Sequence, residues 1–238
     1  MKLMQQPKVI LLDAVGTLFG VRGSVGEVYR ELAAQVGVEV DPAVLNQAFS
    51  QIFQAAPKGV FPGVAPAEID KQQFTWWQEI AAQSFQQAGV FHQFSDFPSF
   101  FAKLYAHFAT ATPWFIYPDV QPALSHWCSV GIQLGIISNF DQRLYLALKA
   151  LGLAQFFTSV TLSTEVGFAK PEPQIFATGL NKHRCTAASA WHIGDSWVDD
   201  YQGAKAAGLT AFWLQRDAEA GQTEAISTLT GLLPTSPY

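Results

Sequence analysis

A single aspartate, Asp13, directly follows four apolar residues at positions 9–12 and precedes the pair Gly16-Thr17. This order is typical of a buried strand that delivers a carboxylate where the chain leaves the core. A carboxylate in such a place can act as a nucleophile or bind a metal ion. Val15 occupies the position from which a second carboxylate could protonate a leaving group. The segment therefore predicts covalent chemistry at Asp13 without an acid beside it.

Polar or charged residues also follow three later segments that have the pattern of strands. They are Ser138 and Asn139, then Lys170, and finally Asp195 with Asp199 and Asp200 beyond it. Taken singly, each has an ordinary explanation, such as a helix cap for the serine or first-turn acids for the last two aspartates. Ligands of open parallel sheets bind beyond the carboxyl ends of the strands, so the joint pattern favours one shared site.

The residue types at these strand ends fit phosphate chemistry. Three converging carboxylates, Asp13, Asp195 and Asp200, cannot all stay ionised without compensating positive charge. Lys170 supplies only one such charge, so we expect a hard divalent cation, Mg²⁺, to balance the rest. The cation, Lys170, the Ser138 hydroxyl and backbone N–H groups would bind a phosphate. Asp13 would then attack the phosphorus in line and form an aspartyl-phosphate that water hydrolyses.

The elements that must position these residues alternate between strand and helix after residue 114. Strands are predicted at 9–12, 132–137, 157–162, 188–193, 210–214 and near 225–228, and helices at 120–130, 143–151, 174–181 and 199–207. Such alternation predicts an α/β fold with a doubly wound parallel sheet. Since the first strand belongs to this sheet, the residues between it and the rest form an insertion.

The insertion has helical periodicity and almost no strand pattern. Four amphipathic helices are predicted in it, at about 25–36, 42–56, 66–87 and 97–108. The second begins at Asp41-Pro42, where an N-cap aspartate precedes a proline in the first turn. We therefore expect a small four-helix domain at 21–111, inserted into a core domain formed by 1–20 and 112–238.

The composition limits the partners and the compartment. Hydrophobic residues make up 49% of the 238 residues and charged residues 14%, as in globular proteins. The net charge of −5 and the lack of a Lys/Arg cluster argue against nucleic acid or a membrane as partner. No secretory signal or 18-residue apolar run is present. Only Cys128 and Cys185 occur, so we expect free thiols and a cytoplasmic location rather than a disulfide.

The chemistry-bearing segments resemble the four motifs of the haloacid dehalogenase-like (HAD) superfamily, over nearly the whole chain. The matching segments are 13–18, Ser138-Asn139, 170–173 with Phe176, and 194–196 with Asp200, Gly203-Ala204 and Ala207-Gly208. Their order and spacing both agree with the superfamily. The helical insertion resembles its C1 cap. The resemblance implies a hydrolase with a Rossmann-like core and a cap that closes over the site.

The resemblance also implies roles for single residues. Metal binding is implied for Asp13, Asp195, Asp200 and the main-chain carbonyl of Val15, and phosphate binding for Ser138, Asn139 and Lys170. Asp13 would also be the nucleophile, and Lys170 would steady it. Asp200 matches the spacing of the fourth motif better than Asp199 does. It would serve as a ligand or as a supporting carboxylate.

Val15 is the departure from the superfamily pattern. The phosphatases of the superfamily carry an aspartate at this position, which acts as general acid and then as general base. General acid–base help is typically worth about 10² to 10⁴ in rate. We therefore expect a slow or specialised Mg²⁺-dependent phosphatase of a small phosphorylated metabolite, preferring leaving groups that need no proton.

Two other functions stay open. The missing acid favours a weakly active or non-catalytic protein that binds phosphorylated ligands. A metal-independent 2-haloacid dehalogenase also lacks the second aspartate, but such enzymes usually lose the aspartate that Asp195 represents here. No arginine of the cap with an aromatic cradle for halide is evident either. Arg22 and Trp197 are candidate substrate contacts, with a structural role expected more strongly for both, and the oligomeric state is not indicated.

Overall fold

The computed structural model describes residues 6–216 and 225–233. Its main sheet is parallel, in the order β5-β4-β1-β6-β7-β8. The strands are β1 (Val9–Leu12), β4 (Gln133–Ser138), β5 (Ser159–Leu162), β6 (Ala190–Gly194), β7 (Thr210–Leu214) and β8 (Ala225–Ile226). The expected α/β fold with a Rossmann-like parallel sheet is confirmed. The remainder of the weakly patterned tail, 221–224 and 234–238, lies outside the described residues.

Strand β1 lies in the middle of the sheet, between β4 and β6. After β1 the chain builds outward through β4 and β5, then crosses back to β6 on the other side. In register, Leu12 pairs with Ile136 on one side and with Ile193 on the other. The reversal of strand order beside β1 is the place where open α/β sheets bind ligands. Asp13 therefore leaves the sheet at this switch point.

Alternate residues of β1 face two separate apolar clusters, because successive side chains of a strand point to opposite faces. Val9 and Leu11 pack in a smaller cluster with Ile175 and Phe176. Ile10 and Leu12 belong to the larger cluster, which continues without a break into the helices of the insertion. Both faces of β1 are therefore covered, which explains its uninterrupted apolar sequence.

The insertion contains the four predicted helices. They are α1 (Val25–Ala34), α2 (Pro42–Ala55), α3 (Ile69–Gln87) and α4 (Phe97–His107). Helix α1 begins with a capping box, in which Ser24 and Glu27 accept from each other's backbone N–H groups. Asp41 caps α2 ahead of the proline, as predicted. The domain limits given above remain a prediction.

Outside the insertion, the described part of the chain contains five further helices. They are α5 (Val120–Ser129), α6 (Arg143–Ala150), α7 (Ser163–Val166), α8 (Pro173–Lys182) and α9 (Gly203–Ala206). The expected helix at 199–207 is instead a π-helical turn, Trp197–Gln202, that leads into α9. In it the Tyr201 N–H donates to the Ser196 carbonyl, five residues earlier. Such turns are frequent at functional sites.

A short antiparallel ribbon joins the two ends of the insertion and was not predicted. It pairs β2 (Phe19–Val21) with β3 (Trp114–Ile116). Three residues are too few to show an alternating pattern, and the pairing exists only because the insertion returns to its starting point. Within the described ranges, no helix has the length and apolar character needed to cross a bilayer.

Candidate active site

Three carboxylates meet at the carboxyl edge of the sheet. Asp13, Asp195 and Asp200 each offer an oxygen within 4.8 Å of the others. Asp13 follows β1 and anchors there through its N–H, which donates to the Ile193 carbonyl at 2.9 Å. Asp195 follows β6, and Asp200 reaches back from the π-helical turn. The predicted convergence of these residues is therefore present, whereas their chemical roles stay predictions.

Lys170 joins two of the carboxylates. Its Nζ lies 2.6 Å from Asp13 Oδ1 and 2.6 Å from Asp200 Oδ1, and the lysine is only 2% exposed. His192, which the sequence did not single out, donates from Nε2 to the same Asp200 oxygen at 2.8 Å. The second oxygen of Asp200 accepts from the Ser196 N–H at 3.0 Å. Asp200 is thus fixed on both sides and holds the lysine in place.

The pKa values follow from burial and charge. Burial raises the pKa of Asp13; Lys170 opposes this effect and Asp200 adds to it. Burial would also raise the pKa of Asp200, but Lys170 and His192 hold it well below its usual range. Burial would lower the pKa of Lys170, yet its two carboxylate partners raise it. Lys170 is therefore a permanent cation at physiological pH.

The pKa of Asp195 indicates how much negative charge the cluster carries. Its pKa is raised to about 7, first by loss of contact with water and then by the charges of Asp13 and Asp200, with Lys170 opposing. Three carboxylates beside one ammonium carry two negative charges in excess when all are ionised. The donor set consists of hard oxygens, which are the ligands of Mg²⁺ and similar ions. The cluster therefore fits a divalent cation.

The loop after β1 offers one more oxygen that could bind a cation, the main-chain carbonyl of Val15. No group in the described ranges donates a hydrogen bond to the Val15 carbonyl. Gly16 next to it has a φ of +89°, and a Cβ there would lie 2.2 Å from Asp195 Oδ2. The first and fourth motifs thus touch through a position that only glycine can occupy. Asp13, Asp195, Asp200 and the Val15 carbonyl would hold the cation, and this ligand set stays a prediction.

Ser138 and Asn139 differ in what they contact. The Ser138 hydroxyl lies 3.4 Å from Asp13 Oδ1, in reach of any group bound there. The Asn139 side chain instead accepts from the Lys170 N–H at 2.7 Å and donates to the Lys170 carbonyl at 3.0 Å. Asn139 therefore positions the lysine in this structure, and its predicted contact with phosphate stays a prediction.

A cavity of about 310 Å³ opens directly onto Asp13. Besides the site residues named above, its wall is largely apolar and includes Val21, Val25, Tyr29, Phe49, Phe53, Trp77, Phe108, Trp114 and Phe140. Most of these residues come from the insertion, at spacings that predict only the packed side of a helix. Neither Arg22 nor Trp197 is among the lining residues. The structural role expected for both stays a prediction.

Arg143 lies in the cavity wall, and the carboxylate of Asp141 balances its charge. Arg143 donates to Asp141 from Nε at 2.9 Å and from Nη2 at 2.5 Å, and both residues are buried. Its guanidinium stacks on the Tyr105 ring at 3.8 Å. The Trp77 indole N–H also donates to Asp141, at 2.6 Å. This Asp141 network ties α3 of the insertion to the start of α6.

Asp199 takes part in a second connection between insertion and core. Its Oδ2 accepts from the Lys58 ammonium at 2.6 Å and lies 3.4 Å from Asn139 Nδ2. The Lys58 side chain is 55% exposed, so water surrounds this ion pair. The arrangement agrees with the preference for Asp200 over Asp199 in the carboxylate cluster.

A model of one protein family matches most of the chain. Its description is haloacid dehalogenase-like hydrolase, and the match covers residues 7–208. This chain belongs to that family. The resemblance that the motifs indicated is thereby confirmed, and the chain is a HAD-like hydrolase by family.

Individual relatives agree with the family assignment. The human protein named haloacid dehalogenase-like hydrolase domain-containing protein 3 is 33% identical over 209 residues, which span 87% of this chain and 81% of that protein. The structure resembles that of a HAD phosphatase from Thermococcus onnurineus, with 25% identity, a TM-score of 0.62 and coverage of 94% and 95%. An L-2-haloacid dehalogenase from Xanthobacter autotrophicus, at 19% identity, TM-score 0.65 and coverage of 95% and 88%, shares the fold.

Proposed function

We propose that this HAD-like hydrolase is a Mg²⁺-dependent phosphatase of a small phosphorylated molecule, working through an aspartyl-phosphate on Asp13. The observation that carries the proposal is the position of Asp13, ion-paired with Lys170 and facing the cavity beside Asp195. The two cysteines, both free, and the net charge of −5 support a cytoplasmic location and a small-molecule partner.

The chain's own residues supply most of the reaction. Lys170 and Ser138 hold the Asp13 carboxylate and the incoming phosphate in place. An oxygen of Asp13 forms a bond to phosphorus, and the bond from phosphorus to the leaving-group oxygen breaks with its electron pair. Water then attacks the phosphorus, releasing phosphate and restoring the carboxylate. A bound Mg²⁺ would neutralise phosphate oxygens and so lower the barrier to attack by an anion.

The side chain of Val15 shapes the first step. It lies in the cavity wall with Asp13 and offers no proton. The leaving group must therefore depart as an anion and take its proton from water. This requirement favours phosphates of acidic hydroxyl groups over those of simple alcohols.

Mg²⁺ binding should depend on pH through Asp195. Its pKa of about 7 means that the carboxyl is protonated below neutrality, and the proton must leave before a cation binds. We expect the affinity for Mg²⁺ to fall by up to about tenfold for each pH unit below 7 and to level off above 8. Calorimetry between pH 5.5 and 8.5 measures this change. An affinity that is constant over this range would contradict the placement of Asp195 beside the cation.

A screen of phosphorylated metabolites tests the function itself. At millimolar Mg²⁺ we expect phosphate release from a subset of substrates, lost on adding EDTA and restored by excess Mg²⁺. Asp195→Asn should need much more Mg²⁺ for the same rate, because one anionic ligand is removed. Release that is unaffected by EDTA and by Asp195→Asn would overturn the metal-dependent proposal.

A binding or regulatory role is the second candidate, and Val15 is the observation that favours it. In that role the site would capture a phosphorylated ligand and turn it over slowly or not at all. Phosphate-ester binding without any phosphate release in the screen would select this role. Chloride release from 2-chloropropionate in the presence of EDTA would instead select the dehalogenase.

A further inference from the structure

The cavity has a charged end at Asp13, and much of the rest of its lining consists of aromatic rings. Asp13, Lys170 and Asp195 form the charged end. The aromatic wall consists of Tyr29, Phe49, Phe53, Trp77, Phe108, Trp114 and Phe140. Within this wall Phe53 stacks between Phe49 and Trp77, with ring centroids 5.6 and 5.7 Å away. A phosphate bound at Asp13 would therefore point its ester group toward aromatic rings.

The charges near the aromatic wall are already compensated. Asp141 neutralises Arg143 through two hydrogen bonds, and Lys58 pairs with Asp199. A sugar, an amino acid or a second phosphate would lose its hydration against this wall without gaining a charged partner. Such a loss costs free energy, whereas burying an apolar ring gains it. The wall therefore selects against polar ester groups.

None of the residues that form the aromatic wall carries a carboxyl group that could replace the missing acid. Val15 is aliphatic, and among the seven aromatic residues named above Tyr29 carries the one hydroxyl group. Burial raises the pKa of Tyr29 above its usual value, so it gives up a proton even less readily than in water. The wall therefore favours a leaving group that needs no protonation.

We propose that the substrate is a phosphate monoester of an apolar phenol-type hydroxyl, with its ring in the aromatic wall. The inference rests on the proposed function, because it takes Asp13 as the phosphate site. The bond from Asp13 to phosphorus forms, the bond from phosphorus to the aryl oxygen breaks, and the phenolate takes a proton from water. A dry cavity of about 150 Å³ holds one benzene ring, so about 310 Å³ holds a phosphate with one or two rings.

Binding of two phosphonates measures the contribution of the wall. Benzylphosphonate replaces the ester oxygen of phenyl phosphate by a methylene and is not hydrolysed, and methylphosphonate lacks the ring. With Mg²⁺ present, calorimetry should give about 10- to 100-fold tighter binding of benzylphosphonate. Equal binding of the two compounds would overturn the inference, whether or not the protein has phosphatase activity.

A pair of variants on α2 locates the effect. Phe53 is 41% exposed, so Phe53→Gln should fold and should lower the benzylphosphonate advantage by about threefold to tenfold. Val44, 48% exposed on the same helix and absent from the cavity wall, is the matched control, and Val44→Gln should leave the advantage unchanged. An advantage that survives Phe53→Gln in full would show that the ring does not lie there.

Turnover separates this inference from the proposed function. Acetyl phosphate has a small polar leaving group that needs no proton, so it reports phosphatase chemistry without the wall. We expect kcat/KM for 1-naphthyl phosphate to exceed that for acetyl phosphate by about tenfold or more. Turnover of acetyl phosphate without this preference would overturn the substrate class alone. If benzylphosphonate binds tightly but neither substrate is turned over, the proposed phosphatase activity is wrong and the inferred aromatic binding site stands.

Discussion

Asp13→Asn should lower phosphate release by at least about 10⁴-fold while the protein remains folded. The amide has nearly the shape of the carboxylate and can still accept from Lys170, so the packing around it is kept. It is, however, a far weaker nucleophile toward phosphorus and carries no charge to hold a cation. Steady-state phosphate release and circular dichroism of both proteins give the two quantities. Beryllium fluoride, which mimics a phosphoryl group on aspartate, should bind the parent protein and not the variant.

Asp96 offers the matched control for this substitution. It caps α4 and does not line the cavity, and its side chain accepts from the Ser99 N–H at 3.1 Å. Asparagine is an equally good N-cap, so Asp96→Asn should keep both the fold and the rate. A loss of less than tenfold in Asp13→Asn would remove the covalent role of Asp13.

Val15→Asp should raise the hydrolysis of simple alkyl phosphates by about 10²- to 10⁴-fold. The new carboxyl would lie in the cavity wall beside Asp13, where it could protonate the departing alkoxide and later activate water. The gain should be much smaller for acetyl phosphate, whose leaving group needs no proton. Rates for the two substrates, measured with parent and variant, give the ratio directly.

Val15→Asn separates proton transfer from size and polarity. Asparagine matches aspartate in shape but cannot donate a proton as an acid, so this variant should show no gain. Thermal melting checks that either polar side chain is tolerated beside the buried site. If Val15→Asp also shows no gain while folded and able to bind Mg²⁺, the remaining residues are not competent for turnover, and the binding role would be the better account.

The catalytic end of the cavity could be predicted from the sequence because a parallel sheet imposes it. Once residues 9–12 and 191–193 are recognised as neighbouring strands, Asp13 and Asp195 must follow them at the same edge. Lys170 joins them from a more distant loop, and only its coincidence with the other strand ends indicated it. The order of the segments therefore predicts where these groups lie. It does not predict the hydrogen bonds between Asn139 and the backbone of Lys170.

The aromatic wall and the Asp141 network could not be predicted in the same way. Phe49 and Phe53 recur at the spacing of an ordinary packed helix, and that spacing is equally typical of a filled core. Whether rings fill a core or surround a cavity depends on the distance between helices, which local sequence does not encode. The role of His192 could not be predicted either, because a single histidine within an apolar strand does not indicate its hydrogen bond with Asp200.

Two polar side-chain contacts between the insertion and the core domain, Trp77 with Asp141 and Lys58 with Asp199, differ in their exposure to water. At the first, the Trp77 indole N–H donates to buried Asp141, which is also paired with Arg143 of the core domain, so separating the insertion from the core there would break this hydrogen bond and leave no unpaired charge. At the second, the ion pair of exposed Lys58 with partly exposed Asp199 is worth about 0 to 1 kcal/mol. Neither contact is strong enough to hold the insertion in place, so the continuous apolar cluster that runs from the sheet into the insertion contributes most of the free energy that joins the two.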